Sequence, residues 1–321
     1  MNRPKVSISV PVYNAEKFLR QSLDSLVSQT LQDIEIVIVN DGSTDSSETI
    51  CREYAEKDSR IVLVCKENGG SASARLAALE ASKGQFFCAC DADDWVEPDM
   101  YEKLYQKAVE TNADIVMCDY WSEYPDGKKV EHHYAYDIEA RNDLLDDALN
   151  KRLPCMVWNK IFKRELFEKY NLSWERGVNM GEDLLMMLKI LTHPVQIAHQ
   201  PLPLYHYRRV IGGTSYTNSM SLSNYDQLLR IRHWSDEHID NVKYGNGLFI
   251  QWLDQAFAGL RVKEGMTANY YEETTLNNIR YSDFTKYSYP KLKGLIALLT
   301  KIFGYNVGKT FVKLMYRFIY H

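Results

Sequence analysis

Before Trp95 the chain passes four times from a short, β-rich apolar run into a segment with helical spacing or an acidic loop. The runs are Val6–Val10, Ile34–Val39, Ile61–Val64 and the stretch from Gly84 to Cys90, which ends in Asp91-Ala92-Asp93-Asp94. Between them Phe18, Leu19, Leu23, Leu26 and Val27 recur at helical spacing, a second helix carries Ile50 and Tyr54, and a third, Ala72–Ser82, is stopped by Gly84. Strands alternating with helices imply a mostly parallel sheet covered on both faces, with its loops gathered at the strands' carboxyl ends. A ligand crevice is therefore expected where Asn14, Asp41, Asn68 and Asp91 emerge.

The loops carry polar chemistry. An Asp-x-Asp at a strand end puts Asp91 and Asp93 on one face, since strand side chains alternate. Two hard oxygen donors there suit Mg²⁺ or Mn²⁺, which would clamp a diphosphate; the competing reading is an acidic turn capping the helix that Pro98 opens. Asp41 either accepts a hydrogen bond from a base or ribose, or caps the following helix. Gly69-Gly70 before a helix lets backbone amides approach a phosphate, with Arg75 one turn in as a fixed positive charge. Residues 11–20 hold no glycine, which excludes the dinucleotide fingerprint and disfavours a nucleotidyltransferase phosphate loop.

The rhythm changes after Trp95. A helical face with Tyr101, Leu104, Tyr105 and Ala108 leads to a strand, Ala113–Cys118, and Asp119–Tyr136 reads as an antiparallel hairpin turned by Pro125-Asp126-Gly127. A helix over Asn142–Leu149 follows, and strands are expected at Val195–Ala198 and Leu204–Arg208. Glu182 and Asp183 lie in the first turn of an apolar helix, placed there either by the macrodipole or as a carboxylate base facing the metal site. His206 and Arg208 are candidates for the diphosphate or the metal, or satisfied structural residues; His206 is retained as a possible metal ligand.

These motifs in this order, Val10-Pro11-Val12-Tyr13-Asn14, Asn40-Asp41-Gly42-Ser43, Asn68-Gly69-Gly70-Ser71 through Arg75, Asp91-Ala92-Asp93-Asp94 and Gly181-Glu182-Asp183, resemble the family 2 glycosyltransferases. The resemblance covers roughly Lys5 to Ser215. It implies a GT-A fold, a nucleotide-sugar donor, usually a uridine diphosphate sugar, a divalent Mn²⁺ or Mg²⁺ and inversion at the anomeric carbon. By the same resemblance Pro11, Tyr13 and Asp41 contact the base, Arg75 the nucleotide, Asp91 the ribose or metal, Asp93 the metal, and Asp183 is the general base. Ala77 departs from the pattern, which often has Asn there. The expected acceptor is a hydroxyl of a glycan or lipid-linked molecule. The alternative is a catalytically silent nucleotide-sugar-binding scaffold.

The expected domains are a catalytic domain, 1–218, with a nucleotide-sugar half, 1–118, and an acceptor half, 119–218, then a helical region, 219–321. Six cysteines without zinc spacing read as reduced residues of a cytoplasmic protein, and neither a signal peptide nor a spanning segment is expected. From Phe284 onward there are seven Lys or Arg and no acid, on a chain of net charge −5. A basic tail on an acidic body excludes nucleic-acid binding. In the tail, 290–321, apolar residues recur at helical spacing: Leu292, Leu295, Ile296, Leu299, Ile302 and Phe303, then Val307, Phe311, Leu314, Met315 and Phe318. With Lys309, Lys313 and Arg317 on another face and Tyr316 and Tyr320 near the interface, an amphipathic attachment to an anionic membrane is expected, against packing on this chain or on a second copy in a homo-oligomer.

Overall fold

The computed structural model describes residues 3–134, 138–209 and 220–319, the last five as backbone only. Residues Met1–Asn142 with Cys155–Ile211 form one unit and Asp143–Pro154 with Gly212–His321 another. The short segment 143–154 thus groups with the carboxyl-terminal helices, whereas a division at 218 assigns it to the catalytic domain.

In chain order the elements are β1 (Val6–Val12), α1 (Leu19–Val27), β2 (Ile34–Asp41), α2 (Ser47–Lys57), β3 (Ile61–Lys66), α3 (Ser71–Ala81), β4 (Phe86–Ala89), β5 (Trp95–Val96), α4 (Met100–Thr111), β6 (Ile115–Glu123) and β7 (Lys129–His132). They continue with α5 (Leu144–Leu149), β8 (Lys160–Lys163), α6 (Glu165–Lys169), α7 (Glu182–Leu191), β9 (Ile197–Arg208), α8 (Leu222–His238), α9 (Asn241–Arg261), α10 (Ala268–Thr274), α11 (Asp283–Lys286), α12 (Lys291–Phe303) and α13 (Tyr305–Ile319).

In the first unit the strands make one sheet, ordered β3-β2-β1-β4-β8-β6-β9-β5, with β7 paired to β6. β1 to β4 are parallel; β8 is antiparallel to both β4 and β6. All eight residues of β2 are buried, as a central strand covered on both faces requires, while the edge strand β3 is mostly half-exposed. The chain leaves β1 toward β2 and later returns on its other side as β4, so the crevice at their carboxyl ends is the switch point where such sheets bind ligands.

The hairpin forms as expected, β6 and β7 joined through a turn with Gly127 at φ 83°. The two strands expected beyond Val195 are one strand, β9. Its register against β6 jumps from Cys118↔Gln200 to Asp119↔Pro203. Pro201 and Pro203 have no amide hydrogen to give, so the ladder bulges there without ending.

The second unit is helical. α8 is capped by Ser221, whose hydroxyl accepts from Asn224 N at 3.1 Å, and α9 by Asp240. α9 buries Phe249, Trp252, Leu253 and Ala256 against Ile279 and Ala297. α12 ends at Gly304, φ 85°, and α13 folds back along it. A Cβ on Gly308 would lie 2.0 Å from Thr300 Oγ1, so the glycine of Gly308-Lys309-Thr310 is what lets the two helices touch. α12 buries Ile296, Ala297 and Thr300 but leaves Leu292, Leu295, Ile302 and Phe303 more than half exposed. Ile296 is therefore packed within the protein and leaves the expected membrane-facing stripe. On α13 Val307, Phe311 and Leu314 are exposed, and the side chains of Met315, Tyr316, Arg317, Phe318 and Tyr320 lie outside the described residues. No described helix is long and apolar enough to cross a membrane.

Candidate active site

The loops after β1 and β2 are clasped together. Asn14 adopts φ 49°, and from there its side-chain oxygen accepts from Thr44 N at 2.8 Å while its own amide donates to Ser43 Oγ at 3.1 Å. Ala15 N donates to Ser47 Oγ at 2.9 Å. Pro11 sits in register with Val39, and Tyr13, two residues on, presents its ring to solvent at 53 % exposure. Asp41 is buried at the end of β2. Its carboxylate accepts from Lys66 Nζ, Gly69 N at 3.1 Å and Gly70 N at 2.7 Å. The glycine amides expected to meet a phosphate are thus spent on Asp41. The amino end of α3 is covered as well: Ala72 N donates to Asn179 Oδ1 at 3.1 Å, and Ser71 Oγ to Glu182 Oε1 at 2.9 Å. A Cβ on Gly70, itself at φ 85°, would strike the Asn179 amide.

Arg75, expected as a fixed positive charge beside the nucleotide, is engaged by carboxylates of this chain. It is buried, and its guanidinium serves three carboxylates: Nη2 donates to Asp91 Oδ1 at 2.8 Å, and Nη1 to Glu182 Oε1 at 2.6 Å and Asp183 Oδ1 at 3.0 Å. Burial opposes its charge, but Asp183, Asp91 and Glu182 outweigh that and hold its pKa above the ordinary arginine value. Its Nε is buried and has no hydrogen-bond partner among the described residues. A single planar fork bridges the end of β4 to the start of α7, which a point charge like lysine does not reproduce.

The Asp-x-Asp is a turn, since β4 ends at Ala89 and Asp94 N donates back to Asp91 O at 3.1 Å. Asp91 and Asp93 are nevertheless both half-buried and close enough to repel. Burial, then the charge of Asp91, pushes the Asp93 carboxyl up to about 6. Asp94 is structural: Tyr205 OH donates to it at 2.8 Å and Arg208 N at 2.7 Å. Arg208 itself donates from Nε to Asp93 O at 2.7 Å, its guanidinium lying 4.6 Å from each of the Phe18 and Trp95 ring centroids. His206, expected as a possible metal ligand, does not fit that role. Its ring nitrogens face Glu123 Oε1 at 2.8 Å and Glu97 Oε1 at 3.0 Å, and the ring stacks on Trp95, so neither nitrogen is free for a metal.

Asp183 opens α7 after Gly181 in the left-handed region, φ 80°. Besides Arg75 it has one donor among the described residues, Val157 N, at 3.2 Å from Oδ2, and its side chain is 22 % exposed. Burial pushes its carboxyl up to about 7; Arg75 pulls the other way, and the like charges of Glu182 and Asp91 add to the rise. Asn179, Val157 and Tyr205 carried no local signal, because each reaches the site from a different part of the chain.

Residues 7–171 match the family model described as Glycosyl transferase family 2. Among curated proteins, EpsH of Bacillus subtilis, a glycosyltransferase by name, is 36% identical over 213 residues, 65% of this chain and 62% of that protein. The chain thus spans less than two thirds of that relative. Among solved structures, S. aureus TarS 1-349 aligns with TM-score 0.72 at 19% identity over 98% of this chain and 91% of that one, and it has also been crystallised with UDP and with UDP-GlcNAc. A mannosyltransferase from Pyrobaculum calidifontis, in complex with GDP-Man and Mn²⁺, aligns with TM-score 0.57 at 18% identity, covering 94% of this chain and 88% of that one. These likenesses bear out the GT-A fold with its carboxyl-terminal helices.

Proposed function

This chain belongs to glycosyl transferase family 2, and from that premise we propose that it moves a sugar, with inversion, from a uridine diphosphate donor to a hydroxyl of a glycan or lipid-linked acceptor. The observation that carries the reading is the Arg75 bridge, which joins a donor-side carboxylate, Asp91, to an acceptor-side carboxylate, Asp183, whose proton affinity lies near neutrality. A base poised near the working pH is what proton removal from an acceptor hydroxyl requires.

Asp91 and Asp93 fit a divalent cation. They are adjacent hard oxygen donors whose mutual repulsion a dication relieves. Among the described residues no cluster of three His, Cys, Asp or Glu completes a cage, so diphosphate and water would supply the remaining ligands, the usual arrangement for Mg²⁺. When bound, Mg²⁺ or Mn²⁺ neutralises charge building on the leaving diphosphate. Asp183 takes the acceptor proton as the acceptor oxygen bonds to the anomeric carbon and the bond to the diphosphate oxygen breaks on the opposite face. Arg75 and Val157 N hold the carboxylate for that step. Pro11, Tyr13 and Asp41 line the base end, and the clasped loops keep them rigid. The complexes of TarS with UDP and UDP-GlcNAc support the donor class. The test is release of free nucleotide from a panel of UDP-, GDP- and dTDP-sugars with and without Mn²⁺. Transfer from UDP-sugars that EDTA abolishes is the expected result; donor binding without nucleotide release for any acceptor would favour a silent scaffold.

The carboxyl-terminal helices support attachment to an anionic membrane at the cytoplasmic face. α12 and α13 expose Leu292, Leu295, Ile302, Phe303, Val307 and Phe311 in a stretch with no acid, and each Lys or Arg near such a surface contributes about 1 kcal/mol. Replacing Leu295, Phe303 and Phe311 together by Gln in the full chain is expected to abolish co-sedimentation with anionic vesicles and leave the fold intact. Unchanged sedimentation, or loss of a dimer instead, would assign the face to protein packing.

A further inference from the structure

Lys160 begins β8 with no exposed surface at all. Its ammonium donates to Met156 O at 2.7 Å and to Asn159 Oδ1 at 2.9 Å. Asn159 is held with that oxygen inward because its Nδ2 donates to Cys118 O at 2.6 Å and Tyr134 OH at 3.0 Å. Burial brings Lys160 down to about 8, which leaves it cationic at neutral pH. A buried cation resting on two neutral oxygens is costly unless a counter-charge stands behind them. The groups acting on it are Cys155, Cys118 and Asp183, and burial pushes both thiols up to about 12, so they carry no charge. Of these three groups Asp183 is the one that carries a negative charge once deprotonated.

The route between them is one peptide group. The oxygen that Lys160 grips and the Val157 amide that Asp183 accepts from belong to the same Met156–Val157 unit. In a trans peptide C=O and N–H point in opposite directions, so a cation at one end and an anion at the other align with a single dipole of about 3.5 D. Each charge strengthens the opposite hydrogen bond.

We propose that Lys160 is a positioning residue for the base, holding Asp183 through the Met156–Val157 peptide and supplying the second of its two cationic supports. The first is Arg75, which reaches Asp183 Oδ1 and shares its charge with Asp91 and Glu182; Lys160 acts through the peptide that serves Oδ2. The proposal rests on the reading of Asp183 as base. Lys160 also ties β8, the strand inserted between β4 and β6, to the amino end of α7, so that the acceptor-side carboxylate is set by the sheet core as well as by its own helix start.

The test uses the full chain with a UDP-sugar donor it turns over. Lys160→Met is expected to lower kcat roughly tenfold, leave KM for the donor unchanged and move the acid limb of the kcat profile to higher pH. Lys160→Gln, which keeps a donor to Met156 O without the charge, moves the limb the same way, and Lys160→Arg restores part of the loss. Introduced into Asp183→Asn, Lys160→Met costs nothing further, because residues acting as a unit are not additive. The same tenfold loss in the Asp183→Asn background, or a lower kcat with an unmoved limb, would make Lys160 merely structural. Parent kcat and limb in both uncharged variants, with Asp183→Asn crippled, would sink the proposal and leave the base in place. Intact turnover in Asp183→Asn would overturn the base reading itself.

Discussion

Asp41 and Asp183 are both carboxylates at the crevice, and the chain treats them oppositely. Asp41 accepts from Lys66, which otherwise donates to the Glu67 carbonyl and to no second carboxylate among the described residues, and from two glycine amides, on loops that are further clasped by Asn14, Ser43 and Ser47. Around Asp183 the supply is reversed: the Arg75 guanidinium is divided among three acids, and among the described residues Asp183 has one other donor, Val157 N. A carboxylate with its own donors is part of the platform. Asp183, which burial raises and whose one guanidinium partner is shared with two other acids, keeps a proton near neutrality, the condition a base needs, and rigidity on one side of the crevice frames reactivity on the other.

Breaking the under-served side should have the largest effect. Asp183→Asn, nearly the same shape but unable to accept a proton, is expected to lower turnover by about 10²–10⁴-fold with donor affinity almost unchanged, measured by initial rates and calorimetry. Asp93→Asn should weaken the metal and the donor together, read by titrating Mn²⁺ against nucleotide binding; indifference of both to the substitution would remove Asp93 from the metal site. Arg75→Lys sharpens the contrast, since one ammonium cannot match a fork held by three carboxylates. It should cost roughly tenfold in kcat and shift the acid limb upward. On the well-supplied side Asp41→Asn, which sets a side-chain amide against the Gly69 and Gly70 donors, should show mainly as lost stability, about 1–3 kcal/mol by denaturant titration, with some loss of donor affinity.

The two sides also differed in how far the sequence revealed them. The strands β1 to β4 and the loops that follow are written in local pattern: apolar runs, turn residues and helix caps within a few positions of one another. So is the β6–β7 hairpin, through Pro125-Asp126-Gly127. What local pattern does not carry is which distant donor reaches which carboxylate. The insertion of β8 between β4 and β6 brings Val157 and Lys160 to Asp183, and the start of α7 brings Asn179 and Glu182 over the end of α3. His206 looked like a metal ligand because nothing nearby in sequence shows Glu97 and Glu123 closing on both its nitrogens. The Asp-x-Asp lies in a turn after Ala89, so strand alternation is not what sets where Asp91 and Asp93 point.

The most direct test of the account is the pH dependence of kcat at saturating donor and Mn²⁺. Burial holds the Asp183 carboxyl at about 7, and the base works only when deprotonated, so turnover should fall about tenfold for each pH unit below that value and level off above it. In Asp183→Asn the residual rate should lose this limb. A parent profile flat from pH 5 to 8, or a limb that persists unchanged in Asp183→Asn, would contradict the assignment of the base.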